Sequence, residues 1–387
     1  MSETTRINLN RAQAIAAGCG AVGLLSCVVG AILNTQQFFI SYLFGYLFWL
    51  GLALGCLGVA MLHHLTGGRW GFVIRRFLES GFRTIPLMAL LFIPLFFGLR
   101  QLYPWANAGA VAADPVLQHK HLYMNPAAFV VRAILFFAIW IILSAFLRKW
   151  SFEQDNLSDL APTRRLRVLS GPGIVIYPLT ATFAYIDWVM SLEPDWYSTI
   201  FLVIILIGQI LCAFAFSVLV LTCFRRATPI VEILSTTQFH HLGNLLLTFV
   251  MFWTYVAFSQ FLIIWSGNLP HEIAWYLHRS RGSWLWIVLA LALFHFFLPF
   301  YLLLFRGTKR SVGVLTTIAV LLFVMQMVNA FWLIVPSFYP QGIHLHWLDL
   351  AAPVGVGGIW IAAFLSRLKR GPLVPLNDPR LDYAWAG

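Results

Sequence analysis

Apolar residues fill this chain in long runs separated by short polar breaks, and the length of the runs decides the reading. A half-buried strand alternates every second residue and a soluble core helix shows an apolar stripe. Here runs of about 20 residues are apolar all round, the length a helix needs to cross a hydrocarbon layer. Ten such spans lie near residues 12–33, 38–65, 84–102, 128–147, 171–192, 198–223, 242–265, 284–305, 312–335 and 347–368. Backbone groups at that depth find no water and must be satisfied within the segment, so the expected fold is all-α: a polytopic membrane protein forming one integral membrane domain over 1–387. Between the second and third spans the pattern changes. In RWGFVIRRFLES, Trp70, Val73, Ile74, Phe77 and Leu78 recur at helical spacing with Arg75, Arg76 and Glu79 between them. That predicts an amphipathic helix over 70–82 lying in the membrane interface. The loop over 100–127, with its HKHLYMNP stretch, is polar enough to face water or a partner, and 151–170 reads as a solvated linker.

The order of the spans suggests a repeat. Spans 2 to 5 and spans 6 to 9 both begin on the same side, as two parallel four-helix bundles flanked by helices 1 and 10 would. Asp187 precedes Pro194 at the end of span 5 by the same interval as Asn329 precedes Pro336 at the end of span 9.

Composition agrees: of 387 residues, 60% are hydrophobic and only 10% charged, and the mean hydropathy is +0.82, outside the range of ordinary soluble domains. The 25 Lys and Arg residues are unevenly placed. Arg100, Lys120, Arg279 and Arg281 lie in loops on one side and Arg132 lies within a span, while every other base falls in the termini or in the loops of the opposite side. The positive-inside rule then makes both termini cytoplasmic. The net charge of +11 reports this topology and contact with anionic lipid, since loops this short offer no folded basic surface for nucleic acid. Met1 to Asn10 is polar and no small-residue cleavage pattern follows, so the first span is expected to stay as an anchor. Cys19, Cys27, Cys56, Cys212 and Cys223 all fall in spans without a Cys-x-x-Cys pair, which favours packing over ligation or disulfides.

Charge inside a span marks candidate chemistry. Arg132 enters span 4 about one turn in, and Asp187 leaves span 5 at comparable depth, so the two are expected to pair. The pair can simply fix two helices, or, with Asp349 at the start of span 10 and Asn329 on span 9, line a polar funnel for a quinone headgroup or for protons. On the basic side His63 and His64 end span 2, Glu232 lies before span 7, and His240 and His241 open that span. They are candidates for proton uptake, with ordinary interfacial residues as the alternative. His295 is mid-span with only Gln209, Tyr255, Ser259 and Gln260 as polar company, a relay or a packing histidine. No span offers the paired histidines of a dihaem cytochrome b or the histidine set of a copper oxidase, and there is neither a phosphate loop nor a cysteine cluster. No catalytic residue and no metal site is assigned, and no redox cofactor is expected in this chain.

The strings HHLTGGRWGFVIRRFLE (63–79), NPAAFVVRAILFFAIW (125–140), DWVMSLEPDWYST (187–199), FVMFWTYVAFSQFLIIWSGNLPHE (249–272) and PLVPLNDPRL (372–381) resemble, in order and over nearly the whole chain, the ActF-type membrane subunits of bacterial alternative complex III. These belong to the NrfD or polysulfide-reductase membrane-subunit family. The resemblance implies two four-helix bundles, a place in the bacterial cytoplasmic membrane, and a role in a respiratory or photosynthetic quinol:cytochrome c oxidoreductase. It implies partners as well: an ActC-like sister subunit, multihaem and monohaem cytochrome c subunits, an iron–sulfur subunit and small membrane subunits, with haems and iron–sulfur clusters held by those partners. In that family quinol oxidation is placed chiefly in the sister subunit, and the ActF type is assigned a proton path; the matching positions are Arg132, Asp187, His295 and Asp349, with His240 and His241 on the cytoplasmic side. Asn329 stands where an acid is expected. Two rival functions remain: a subunit that itself binds and oxidises quinol, and a secondary transporter. The transporter would call for helices broken symmetrically at midplane, whereas Pro86, Pro94, Pro178 and Pro299 are not symmetrically placed.

Overall fold

A computed structural model describes residues 3–157, 159–228, 230–375 and 377–378, with side chains from Leu9 onward and without those of Glu232 and Ile233. No strand occurs among the described residues, and ten helices are long and apolar enough to cross a membrane. The chain is an all-α polytopic membrane protein. The ten helices are α1 (Leu9–Leu33, with a turn or more upstream), α2 (Thr35–Thr66), α3 (Arg75–Phe97), α4 (Pro126–Asn156), α5 (Ala161–Leu192), α6 (Phe201–Phe224), α7 (Thr236–Gly267), α8 (Trp284–Leu304), α9 (Val312–Ser337) and α10 (Leu348–Leu368).

Helices α2 to α5 close a ring in which each touches the next and α5 returns to α2; α6 to α9 close a second ring in the same way. The rings meet where α2 packs on α6 and α9, and α1 and α10 pack on each other and on α2. As a result every residue in the most apolar stretch of α2 is buried, against about a fifth of that in α1 or α8. Lipid tails are as apolar as leucine, so close backbone approach has to supply association in place of a hydrophobic force. Glycines allow it. A Cβ on Gly23 would fall 2.5 Å from the Gly355 Cα, and one on Gly55 would fall 2.1 Å from the Gln209 carbonyl oxygen, which joins α1 to α10 and α2 to α6.

Prolines shape the spans. Pro299 has no N–H to give the His295 carbonyl, and the turn before it, Leu291–Phe297, is π-helical. In α3 the helix pauses at Arg83 and Thr84, and Pro86 opens the apolar continuation Ile85–Phe97.

The segment expected to lie flat in the interface behaves differently. It forms two short helices, Arg69–Phe72 and Arg75–Phe82, and the second is buried throughout. Its polar face turns inward because partners wait there. Arg75 donates to Glu79 (2.8 Å), Asp378 (2.9 Å), Gln154 (2.7 Å) and Ser151 (3.0 Å), and Arg76 to Glu79 (2.6 Å) and Asp155. Ser151, Gln154 and Asp155 belong to the end of α4, so the region read as a solvated linker is helical up to Asn156 and resumes as α5 at Ala161.

Candidate functional site

Arg132 and Asp187 meet as their depths require. The guanidinium grips the carboxylate with both prongs, Nε to Oδ2 at 2.7 Å and Nη2 to Oδ1 at 3.0 Å, donates from Nη1 to the Tyr123 carbonyl at 2.9 Å, and lies 3.9 Å over the Tyr123 ring. The Asp187 side chain is 1% exposed and that of Arg132 19%. Planar matching of this kind fixes α4 against α5 and leaves both charges compensated.

Asp349 and Asn329 do not join that pair. Asp349 faces the start of α2 instead, where it accepts from Ser41 (2.6 Å), Gln37 (3.1 Å) and the His346 backbone (2.9 Å), and Tyr339 donates to Gln37 (2.7 Å). Tyr339 lies outside the spans, and burial together with the Asp349 charge raises its pKa. Asn329 is buried at the junction of the two rings. There it lines a cavity of about 40 Å³ together with Gly51, Tyr185, Gln209, Cys212 and Gln326. Tyr177 donates to Gln209 Oε1 at 2.7 Å, while Gln209 Nε2 and Gln326 Oε1 are buried without a hydrogen-bond partner. A donor and an acceptor left open on one cavity are what a bound water satisfies, and a water needs only about 10–15 Å³ of such space.

These groups follow α2. Gln37 and Ser41 mark one end, Gly51, Gly55 and Gly58 face Tyr185, Gln209 and Tyr177 in the middle, and His63 and His64 mark the arginine-rich end. At 1.5 Å per residue, Ser41 to Gly51 is about 15 Å and Gly58 to His63 about 8 Å. His63 is fully buried, edge-on to Trp70 and Phe72, and the Arg69–Phe72 turn that holds it also touches α7.

The other candidates stand apart from this seam. His295 is 0% exposed; neither ring nitrogen has a hydrogen-bond partner, and its nearest ring is Trp253, edge-to-face at 4.3 Å. Of its expected polar company, Gln260 is engaged by Ser198 (2.9 Å) and Tyr276 (3.0 Å) instead. His240 and His241 sit in the second turn of α7, whose start Ser235 and Gln238 cap reciprocally. The side chain of Glu232 lies outside the described residues. Asn329 also lines a second cavity of about 610 Å³ on the flank of α6 to α9, walled by Trp253, Phe258, Tyr276, Phe296 and Trp332 with Gln260 as the other amide.

One constellation escaped the sequence reading. Arg279, 1% exposed, donates to Glu193 (2.6 Å), Ser337 (2.7 Å) and the Leu333 carbonyl (3.0 Å), and stacks 3.9 Å over Trp275. Ser337 also donates to Glu193 (2.7 Å), so the end of α5, the loop helix Pro270–Ser280 and the end of α9 are tied at one point. Burial works against the Glu193 charge, but the Arg279 charge, the Ser337 and Arg279 hydrogen bonds and nearby His278 outweigh it and hold the carboxyl below its usual range. The only sequence signal was an arginine four residues after a tryptophan in a short loop helix.

Among the described residues no three His, Cys, Asp or Glu side chains gather as a metal would require. Comparison with protein-family profiles and with curated proteins gives no match.

Proposed function

We propose that this chain is a non-redox integral membrane subunit of an alternative complex III type quinol:cytochrome c oxidoreductase, scaffolding its partners and carrying a proton path. What supports the reading, beside the resemblance of its strings to ActF-type subunits, is the polar seam beside α2. Asp349, Ser41 and Gln37 lead toward Tyr185, Gln209, Gln326 and Asn329, and these toward His63 and His64, through the most enclosed part of the fold. Amides orient water, and hydroxyls and ordered water relay protons without holding charge, so a seam of this composition suits conduction better than storage. The Arg132–Asp187 pair then serves to hold α4 and α5, with Asp187 able to exchange a proton at the outer end.

The test begins with isolation from native membranes, where the chain is expected to travel with cytochrome c subunits and quinol:cytochrome c reductase activity. Isolation of the chain alone, with solute uptake in vesicles, would instead establish a transporter. Within an active complex, Gln209→Leu is expected to lower proton coupling more than turnover. Coupling at the wild-type ratio in that variant would refute the seam.

One observation favours a second reading, in which the chain itself binds quinol. The cavity of about 610 Å³ has the size of a small-molecule site and an aromatic wall with two amides, Gln260 and Asn329. A photoreactive quinone that labels α7 or α8 would support it.

A further inference from the structure

On the arginine-rich face, four arginines from three helices converge on one cavity of about 260 Å³: Arg83 from α3, Arg148 from α4, and Arg367 and Arg370 from the end of α10, with Ser144 and Ser366 between them. Elsewhere on this face buried arginines are neutralised, as Arg75 and Arg76 are by Glu79, Asp378 and Asp155. These four make no ion pair among the described residues. Arg83 is the telling member, for it is only 9% exposed and its Nε is buried with no hydrogen-bond partner. The charges that act on it are those of Arg148, Arg367 and Arg370, with Glu79, already held by Arg75 and Arg76, as the opposing anion, and its guanidinium lies 5.3 Å over the Phe152 ring. Four like charges held this close repel one another across a partly dehydrated gap, an arrangement that is stable when an anion sits among them. The remaining walls are apolar, Pro86, Ile141 and Ala145, and exposed Ile142 and Phe146 continue that surface along α4.

We propose that this cavity binds a phosphate group, supplied by the headgroup of an anionic phospholipid whose acyl chains run along the α3 and α4 surface. Guanidinium forks match phosphate oxygens, and a basic pocket between membrane helices at their charged face is where such a headgroup arrives already oriented.

The full chain, purified in a mild detergent and stripped of lipid, is reloaded with phosphatidylglycerol, cardiolipin or phosphatidylcholine and read by native mass spectrometry. The anionic lipids are expected to remain bound at activation energies that remove phosphatidylcholine. Arg148 and Arg370 are exposed, so the Arg148→Gln/Arg370→Gln double variant keeps the buried Arg83 and the fold, and circular dichroism checks the latter. Its affinity for phosphatidylglycerol is expected to fall about 25-fold, since each interfacial base contributes roughly fivefold. The Arg148→Lys/Arg370→Lys variant is expected to fall between wild type and the double Gln variant, because the charge is kept while the paired donors of each guanidinium fork are lost. Displacement of the lipid by millimolar inorganic phosphate would keep the anion site and assign it to free phosphate. Equal retention of phosphatidylcholine, or unchanged phosphatidylglycerol binding in the double Gln variant, would overturn the proposal.

Discussion

Truncating Arg279 tests whether the clasp between α5, α9 and the Pro270–Ser280 helix is held by charge or by shape. Arg279→Met keeps most of the stem that lies on Trp275 and removes donors to Glu193, Ser337 and the Leu333 carbonyl. Losing one partner of a buried pair costs about 3–5 kcal/mol. Glu193 keeps the Ser337 hydroxyl, and its side chain is 19% exposed, which places the expected loss at the lower end, about 3 kcal/mol. Glu193→Gln retains an acceptor for Arg279 and is expected to cost less, about 1–2 kcal/mol. The double variant leaves neither charge alone and should fall short of the sum by about 1–2 kcal/mol. Equilibrium unfolding in mixed micelles reads all three, followed by the fluorescence of Trp196 and Trp275, whose rings stack at 4.6 Å beside the clasp. Acid adds an independent check. The folded Glu193 pKa lies below the unfolded value of about 4.3, so its stabilisation is complete above that pH and is lost as pH falls through the folded value. Relative to Glu193→Gln, wild type should lose stability only below about pH 4. Additive single variants, or an Arg279→Met cost under about 1 kcal/mol, would refute a charge-held clasp.

Asp187→Asn leaves Arg132 one side-chain acceptor beside the Tyr123 carbonyl, and is expected to fold and assemble with a loss of about 1–3 kcal/mol while lowering quinol-driven turnover or its coupling; unchanged coupled activity would return the pair to a structural role. Gly55→Ala drives a Cβ into the Gln209 backbone carbonyl, so α2 and α6 must separate, at a cost of about 1–3 kcal/mol or more, seen as a lower midpoint and less monodisperse protein; a variant as stable as wild type would show that this contact is not close in the membrane. Thr308→Cys and His119→Cys, placed in loops on opposite faces, should react with an impermeant thiol reagent only from the inside and only from the outside respectively, and the reverse pattern would invert the topology.

Run length made the ten spans legible, because a helix hidden from water on all sides has no polar face to confuse the count. Arg132 and Asp187 were legible for a related reason: adjacent antiparallel helices bring equal depths together. Asp349 and Asn329 were grouped with them by depth alone, and depth says nothing about which side of a helix faces which neighbour; Asp349 turned to α2 and Asn329 to the junction of the rings. Gln209 was weighed only as company for His295, and Gln326 not at all, because a neutral side chain in an apolar run carries little penalty and so little signal; Gln209 in fact lines the α2 cavity. Arg75 misled the reading of 70–82 because its partners, Gln154 and Asp378, lie far along the chain, and a charged face whose partners are unseen reads as a solvated one. Arg279 and Glu193 were obscured by the same separation.

The enclosure of α2 bears on how the protein is made. Helices leave the ribosome in order, and the second one emerges long before α6, α9 and α10, which complete its surroundings. Until then its Gln37, Ser41 and histidines, all buried in the finished fold, have only lipid or an insertion factor for company. Biogenesis therefore has a built-in wait: α2 enters the bilayer early as an incomplete span and reaches its final register only when the last helix arrives. Ribosome-bound chains truncated before Leu348 should accordingly be captured by membrane insertases and quality-control proteases far more than the full-length chain.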